Sequence, residues 1–180
     1  IVGDKRFALD FDGVNDFGIS NNNNPAPEWN IGTAPFSVSF WYKMPILPTV
    51  NTFLTICSIE ENGIPRPKNL SIKIKNFTTL SIQVASNDFK SGLYGQNVPL
   101  TLGEWQHVTI IRDSINGGVN NWMLYLDGQG PIFFPPSSGT SDFKHNNLPF
   151  KIGASESRFG SNIFRQFYEG QLTEFIAQKK

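Results

Sequence analysis

Apolar side chains recur at every second position through most of the chain, and this period constrains the fold more than any other feature. Successive side chains of a β-strand point to opposite faces, so the period predicts strands that each bury one face. No segment shows the apolar stripe and end signals of an amphipathic helix. An all-β fold is therefore predicted. The alternation is seen at residues 7–11, 36–42, 70–74, 80–84, 108–110, 124–126 and 150–152, and Leu172 with the apolar pair Phe175-Ile176 marks a further strand.

Clusters of Asn, Gly and Pro separate these segments at intervals of about ten residues, as turns do between short strands. They include NNNNPAP, ENGIPRPKN, NGG, DGQGP and PPSSG. With 180 residues, of which 39% are hydrophobic, the chain is long enough to bury one large core. Many short strands that each bury one face favour a two-sheet antiparallel sandwich of the jelly-roll type over a small barrel. We therefore predict a single jelly-roll domain over residues 1–180.

Composition argues against several kinds of partner. The 15 basic and 15 acidic residues cancel, so the chain lacks the positive field that attracts nucleic acid. No signal peptide or long apolar span is present, which predicts no insertion into a membrane. The one cysteine, Cys57, lies in the apolar run FLTICSI and is predicted to be a buried, unreactive thiol. Because the chain begins at Ile1, it is interpreted as a segment of a longer polypeptide or as a processed chain.

The stretch ALDFDGVNDFGIS places three aspartates around Gly13. Asp and Gly are typical of tight turns, and the same pattern of apolar-x-apolar-Asp-Gly recurs at residues 124–128, which favours a hairpin turn. An EF-hand loop is excluded, because an alanine and an isoleucine would occupy its first and twelfth ligand positions. The oxygens of Asp12, Asn15 and Asp16 could instead join a neighbouring acid to hold a hard cation such as calcium. The residues alone leave both interpretations open.

Six stretches, taken together and in order, resemble laminin G-like domains of the concanavalin A-like lectin/glucanase superfamily. They are FALDFDGVNDFGIS, FSVSFWYKMP, LGEWQHVTIIRD, WMLYLDG, PFKIGAS and YEGQLTEFIA. The resemblance implies a jelly roll whose first and last strands pair, and it implies that Trp105 is buried. Relatives often bind glycans or protein partners and often carry a structural calcium. Since the paired ends bring another acid near the opening stretch, the implied calcium ligands are Asp12, Asn15, Asp16 and Glu174.

Catalytic residue patterns are missing from the sequence. Glycoside hydrolysis needs two carboxylates that face one cleft, and the glucanases of this superfamily carry theirs as Glu-x-Asp-x-x-Glu on one strand. Here Glu60 and Glu61 are adjacent, and Glu169 and Glu174 differ by five positions, so each pair points to opposite faces of a strand. The sequence has no Gly-x-Ser-x-Gly, and its two histidines are not at zinc-ligand spacing. We predict that the domain is not an enzyme.

Exposed aromatic rings beside polar side chains are typical of sugar sites, because the apolar face of a pyranose stacks on a ring while its hydroxyls need polar partners. Trp41 shares a strand face with Ser37 and Ser39, opposite the apolar residues of the same strand. Its ring is interpreted either as an outward platform for a sugar or as packing. Further candidate rings are Trp29 and Tyr94, in loops rich in Asn, Gln and Gly, and Trp122.

We therefore predict a non-catalytic recognition module, with carbohydrate as the preferred ligand, displayed on a secreted, cell-surface or viral assembly. The alternative is a structural or protein-interaction module, for example a virion decoration or fibre domain, that has no sugar site. An exposed aromatic patch flanked by polar side chains would favour the first, and a flat apolar patch would favour the second.

Overall fold

The computed structural model describes residues 7–20, 34–45, 53–60, 69–75, 79–85, 92–96, 101–113, 122–133, 150–156, 164–165 and 167–179. Regular secondary structure in these ranges is entirely β-strand, and they contain no apolar helix long enough to cross a membrane. In chain order the strands are β1 Leu9–Asp12, β2 Gly18–Ile19, β3 Phe36–Lys43, β4 Phe53–Glu60, β5 Asn69–Lys75, β6 Thr79–Ala85, β7 Gly92–Gln96, β8 Gln106–Arg112, β9 Trp122–Leu126, β10 Gln129–Phe133, β11 Phe150–Ile152, β12 Ser155–Glu156, β13 Phe164–Arg165 and β14 Glu169–Lys179.

These strands form two six-stranded antiparallel sheets and one short ribbon. The first sheet has the order β1-β14-β3-β8-β9-β10, the second has the order β2-β11-β4-β5-β6-β7, and β12 pairs with β13 in the ribbon. Leu9 of β1 lies opposite Leu172 of β14, so the first and last of the described strands are neighbours. The predicted all-β, two-sheet antiparallel fold is confirmed, as is the pairing of its first and last strands.

The core lies between the two sheets, because the apolar residues of each strand share one face. In β3 every second residue is buried and the residues between them are half-buried. Phe175 of the first sheet stacks on Phe40, with ring centroids 5.8 Å apart, and lies 5.2 Å from Phe150 of the second sheet. This ring therefore joins the two layers. Further buried apolar side chains include Phe11, Phe36, Val38, Tyr42, Ile56, Cys57, Ile72, Ile74, Val108, Ile110, Trp122, Leu124 and Leu172.

A bulge in β4 explains why this strand lacks a clear period of two. The register against β5 shifts between Thr55 and Cys57, and Ile56 and Cys57 are both buried in the core. Burial raises the pKa of the Cys57 thiol, because its thiolate would lose its hydration. The predicted burial of the cysteine is confirmed.

The beginning of β1 is more exposed than its alternation predicts. An inward orientation of Phe7, Leu9 and Phe11 would bury all three, yet only Phe11 is buried, at 6% exposure. Leu9 is 59% exposed and Phe7 is 87% exposed. Because β1 is an edge strand of the first sheet, its side chains are covered only where another element reaches them. Phe11 is covered by Tyr168, whose ring centroid lies 5.9 Å away.

Two tryptophans differ from their expected environments. Trp105, which the family resemblance implies to be buried, is 38% exposed, because it lies just before β8 in the preceding turn. Trp122, a candidate sugar platform, is 1% exposed and packs edge-on against Phe36 with ring centroids 5.4 Å apart. It is in phase with Leu124 on β9 and therefore faces the core. Trp122 is excluded as a platform.

Candidate functional site

The outward side of the first sheet carries three of the residues predicted to bind a ligand. Ser37, Ser39 and Trp41 alternate with buried residues of β3 and are half-buried. They therefore lie together on the side of the sheet that faces away from the core, in the positions that the alternation indicates.

Three neighbouring strands extend this surface into a grid of three rows. The register across β3, β8 and β9 aligns side chains on the same side of the sheet. Asp127 is exposed and the other eight are half-buried. We call these nine residues the outer face: Trp41, His107 and Asp127 in the first row, Ser39, Thr109 and Tyr125 in the second, and Ser37, Ile111 and Met123 in the third.

Hydrogen bonds hold the polar centre of the outer face in place. The Ser39 hydroxyl lies 2.8 Å from Nε2 of His107, and the Thr109 hydroxyl donates to the Ser39 hydroxyl at 3.4 Å. The Ser39 hydroxyl thus links the side chains of His107 and Thr109. The His107 backbone N–H donates to the Asp127 carboxylate at 2.7 Å, and the Asp127 N–H donates to the His107 carbonyl at 2.8 Å.

The Trp41 ring packs beside His107. The two ring centroids are 4.9 Å apart and the planes are tilted by 44°. Part of the indole is therefore supported by the imidazole, and the residue as a whole is half-buried on the outward side of the sheet. A ring that is held by packing and open to solvent on one side can stack against the apolar face of a sugar. Packing and an outward position thus coexist at Trp41.

The hairpin between β9 and β10 shapes one border of the outer face. Asp127 and Gly128 have φ angles of 50° and 75°, as in a two-residue type I′ turn. The hairpin predicted at this Asp-Gly pair is confirmed. Beyond the turn, a Cβ atom added to Gly130 would lie 3.1 Å from Cδ1 of Tyr125. The glycine therefore leaves room for the Tyr125 ring to lie close to β10.

Sequence reasoning did not place His107, Thr109 or Tyr125 on the same surface as Trp41. The signal was present in the strand alternation, because in QHVTIIR and WMLYL the residues between the buried ones share the outward side. Of the other predicted platforms, Trp29 lies outside the described residues, and only the backbone of Tyr94, in β7, is described. Their role in binding stays a prediction.

The opening aspartates cap a turn that passes from one sheet to the other. The hairpin predicted at Asp12-Gly13 is wrong, because β1 belongs to the first sheet and β2 to the second. Oδ1 of Asp12 accepts the N–H groups of Val14 and Asn15 at 2.8 and 3.2 Å, and Oδ2 of Asp16 accepts the N–H of Asp12 at 3.0 Å. The bonds from Val14 and Asn15 lower the pKa of the Asp12 carboxyl, because they stabilise its ionised form.

Glu174 does not reach this turn. Asp12 lies opposite Glu169, and Glu174 follows five residues later on β14, roughly 16 Å away at the usual strand rise. The placement of Glu174 beside the opening acids is therefore wrong. Glu169 lies there instead, with a carboxylate oxygen 3.3 Å from a Cβ atom added to Gly13. Within the ranges that the structure describes, no three His, Cys, Asp or Glu side chains are grouped to hold a metal ion. Calcium binding stays a prediction.

On the outward side of the second sheet, the polar side chains that the structure describes are covered and not open to solvent. Lys151, Ser58 and Ser71 form one cross-strand row, and all three are buried, as is Lys73. The Ser58 hydroxyl donates to the carbonyl of Ala154 at 2.9 Å, immediately before the β12–β13 ribbon. These polar groups are not accessible to a ligand in this conformation.

A depression of about 380 Å³ adjoins the outer face at the beginning of β3 and the end of β8. Ser37 and Ile111 of the third row contribute to its wall, together with Asp113 and Gln178. The outer face therefore continues at this end into a concave space that contains both polar and apolar groups.

Comparison with known families assigns the fold. The sequence matches the laminin G profile described as the concanavalin A-like lectin/glucanases superfamily over residues 17–176. The chain belongs to this superfamily. The predicted resemblance to laminin G-like domains is thereby confirmed. A sequence search against curated proteins gave no match.

Solved structures similar to this laminin G-like domain share little sequence with it. The CBM40 of the Ruminococcus gnavus IT-sialidase, bound to α2,3-sialyllactose, gives a TM-score of 0.63 at 10% identity and covers 96% of this chain and 90% of that one. The binding domain of botulinum neurotoxin serotype D gives 0.62 at 19% identity, over 96% of this chain and 38% of that one. The heptameric SAP-like pentraxin of Limulus polyphemus gives 0.59 at 14% identity, over 94% and 74%. At these identities the likeness shows the fold alone.

Proposed function

We propose that this laminin G-like domain is a non-catalytic recognition module that binds carbohydrate on the outer face. The observation that supports this function best is the outward, half-buried side chain of Trp41, held against His107 beside the hydroxyls of Ser39 and Thr109. A pyranose can stack its apolar face on the indole while its hydroxyls exchange hydrogen bonds with these polar groups. The fold is also shared with a CBM40 whose structure contains sialyllactose.

The chemistry of the outer face supports binding without hydrolysis. Glycoside hydrolysis uses two carboxylates on either side of the scissile bond. Among the nine residues of the outer face only Asp127 carries a carboxylate, and this group already accepts the backbone N–H of His107. We therefore assign these residues to recognition and not to bond cleavage.

The affinity of such a surface is weak. One stacked ring and a few hydrogen bonds on an open sheet supply about 4 to 5.5 kcal/mol, which corresponds to a Kd between about one millimolar and one hundred micromolar. Sites of this strength act when many copies bind together. Display of several domains on a secreted, cell-surface or viral assembly would provide that multivalency, and we propose it as the setting of this domain.

Retention on a glycan array, with the domain presented multivalently, tests the proposed function. We expect the wild type to be retained and Trp41→Ala to lose retention, while the melting temperature falls by only a few degrees because Trp41 lies on the outward side of β3 and not in the core. Phe7→Ala is the matched control, since it removes another exposed ring, 87% exposed and on the edge strand β1, and should leave retention unchanged. Absence of retention by the wild type would contradict the function.

A structural or protein-interaction module is the second candidate, for example a virion decoration or fibre domain. The observation that favours it is a group of exposed apolar side chains along the β1 and β2 edges and the turn between them: Phe7, Leu9, Val14, Phe17 and Ile19. Exposed apolar clusters of this kind mark protein interfaces. If this surface is the functional one, Leu9→Ser should weaken protein association measured by sedimentation, whereas Trp41→Ala should leave it unchanged.

A further inference from the structure

Resting on the proposed function, we propose that Tyr125 is a second stacking platform and that the ligand is an oligosaccharide chain that contacts both Tyr125 and Trp41. A single terminal sugar would contact one ring only. The strand register, the Cα spacing of the two aromatic residues that follows from it and the polar groups between them point to this ligand class.

The register fixes the spacing of the two aromatic residues. Tyr125 of β9 lies opposite Thr109 of β8, which lies opposite Ser39 of β3. Trp41 is two residues further along β3. Two strand spacings of about 4.8 Å and two residues at about 3.4 Å place the Cα atoms of Trp41 and Tyr125 about 12 Å apart. This distance exceeds the width of one pyranose ring, so the two platforms would contact different sugar units of one chain.

The groups between the two rings suit the middle of a sugar chain. His107 and Thr109 project from β8, the strand that separates Trp41 from Tyr125, and both belong to the hydrogen-bonded centre of the outer face. A sugar chain laid diagonally across these strands would meet an apolar ring, a polar strip and a second apolar ring. Stacking at both ends and hydrogen bonding in the middle is the alternation that a chain of pyranoses requires.

The Tyr125 side chain is placed to serve as a platform and not as core packing. Its neighbour Leu124 is fully buried, whereas Tyr125 is half-buried on the outward side of β9. The ring lies near Gly130, where an added Cβ atom would come within 3.1 Å of Cδ1. The absence of a side chain at Gly130 therefore leaves space for the Tyr125 ring beside β10.

The test is calorimetric titration of the wild type and variants with a series of oligosaccharides of increasing length, built from the sugar that the array retains. For the wild type we expect affinity to rise with length until the chain covers both rings. Tyr125→Ala and Tyr125→Thr, the second chosen for its strand propensity, should each remove that gain, a loss of about tenfold for one aromatic contact. Tyr125→Phe keeps the ring and should keep the gain.

The outcomes separate this inference from the function on which it rests. If the wild type binds no glycan, both are wrong. If it binds a glycan that Trp41→Ala releases, but affinity is independent of chain length and Tyr125→Thr binds as the wild type does, carbohydrate binding stands and the second platform is wrong. Melting curves of each variant show whether a loss of binding reflects a loss of fold.

Discussion

Replacement of Gly153 by alanine tests how the first edge strand is locked to the second sheet. Gly153 follows β11 with a φ of 85°, and a Cβ atom there would lie 2.6 Å from Cδ1 of Phe11. The backbone cannot easily retreat, because the Gly153 N–H donates to the Ile56 carbonyl at 2.8 Å and its carbonyl accepts the Tyr168 N–H at 2.7 Å. The substitution therefore forces both a strained backbone and a clash with a buried ring.

The two costs can be estimated separately. A left-handed backbone costs a residue with a Cβ atom about 1–2 kcal/mol, and overpacking in a core costs about 1–3 kcal/mol. Gly153→Ala should thus lower the free energy of unfolding by about 2–5 kcal/mol, a fall of about 4–20 °C in melting temperature for a domain of this size. Gly128 has a φ of 75° with no atom within 4 Å of an added Cβ, so Gly128→Ala should show only the first cost, about 1–2 kcal/mol.

Urea unfolding of Gly153→Ala, Gly128→Ala, Phe11→Ala and the double variant Phe11→Ala/Gly153→Ala measures these differences. In a Phe11→Ala background the clash is gone, so adding Gly153→Ala should cost no more than Gly128→Ala costs in the wild type. Two results would show that contact with the Phe11 ring is not what requires glycine at position 153. One is an equal free energy of unfolding for Gly153→Ala and Gly128→Ala; the other is a cost of Gly153→Ala that is as large in the Phe11→Ala background as in the wild type.

Three further predictions concern the cysteine and the opening turn. Because the Cys57 thiol is buried and its pKa is raised, a thiol reagent at neutral pH should label the unfolded chain and spare the folded one; rapid labelling of the folded chain would contradict its burial. The pKa of Asp12 is lower in the folded chain than its usual value of 3.8. Its carboxylate therefore stabilises the fold at pH values above 3.8, and this stabilisation is lost as the pH falls through the lower pKa of the folded state. The melting temperature of Asp12→Asn should therefore fall less than that of the wild type as the pH is lowered over this range. An equal fall in both proteins would refute the linkage. Calcium binding at Asp12, Asn15 and Asp16 predicts melting temperatures that rise with calcium and fall with chelator, because a site occupied at a hundredfold excess over Kd adds about 2.7 kcal/mol. Loss of this difference in Asp16→Ala would support the calcium interpretation, whereas coincident curves for the wild type would show that the Asp12 and Asp16 carboxylates only cap the turn.

The alternation of β3 and β8 was readable from the sequence because both strands have one covered face along their whole length. The same phase, applied to β9, would have placed Trp122 with Leu124 in the core and Tyr125 outside. Other features depend on the tertiary structure. The exposure of Leu9 follows from the limited cover over the first sheet's edge, which no local pattern encodes. The bulge between Thr55 and Cys57 interrupts the alternation of β4 and hides it from a search for period two.

The opening turn at Asp12-Gly13 is a second feature that the local sequence predicts only in part. Asp and Gly at this position correctly indicated a turn, since short polar side chains satisfy nearby backbone N–H groups. The local sequence does not say whether the strand that follows joins the same sheet or the opposite one. The resemblance implied that β1 and β14 pair, but their register decides which acid faces Asp12, and that register places Glu169 there.

The position of β14 between β1 and β3 also determines when the fold can be completed. The Thr173 hydroxyl bonds the Phe7 carbonyl, 166 positions away in the chain, and β3 pairs with β14 on the side opposite β8. During synthesis β3 can pair with β8 before β14 has been made. The other edge of β3 and the whole of β1 can pair only after β14 has left the ribosome. Contacts between such distant segments fold slowly, and an unpaired edge in a partly made sheet invites association with other chains. Chains truncated before Glu169 should therefore be cut readily by proteases that the 180-residue chain resists.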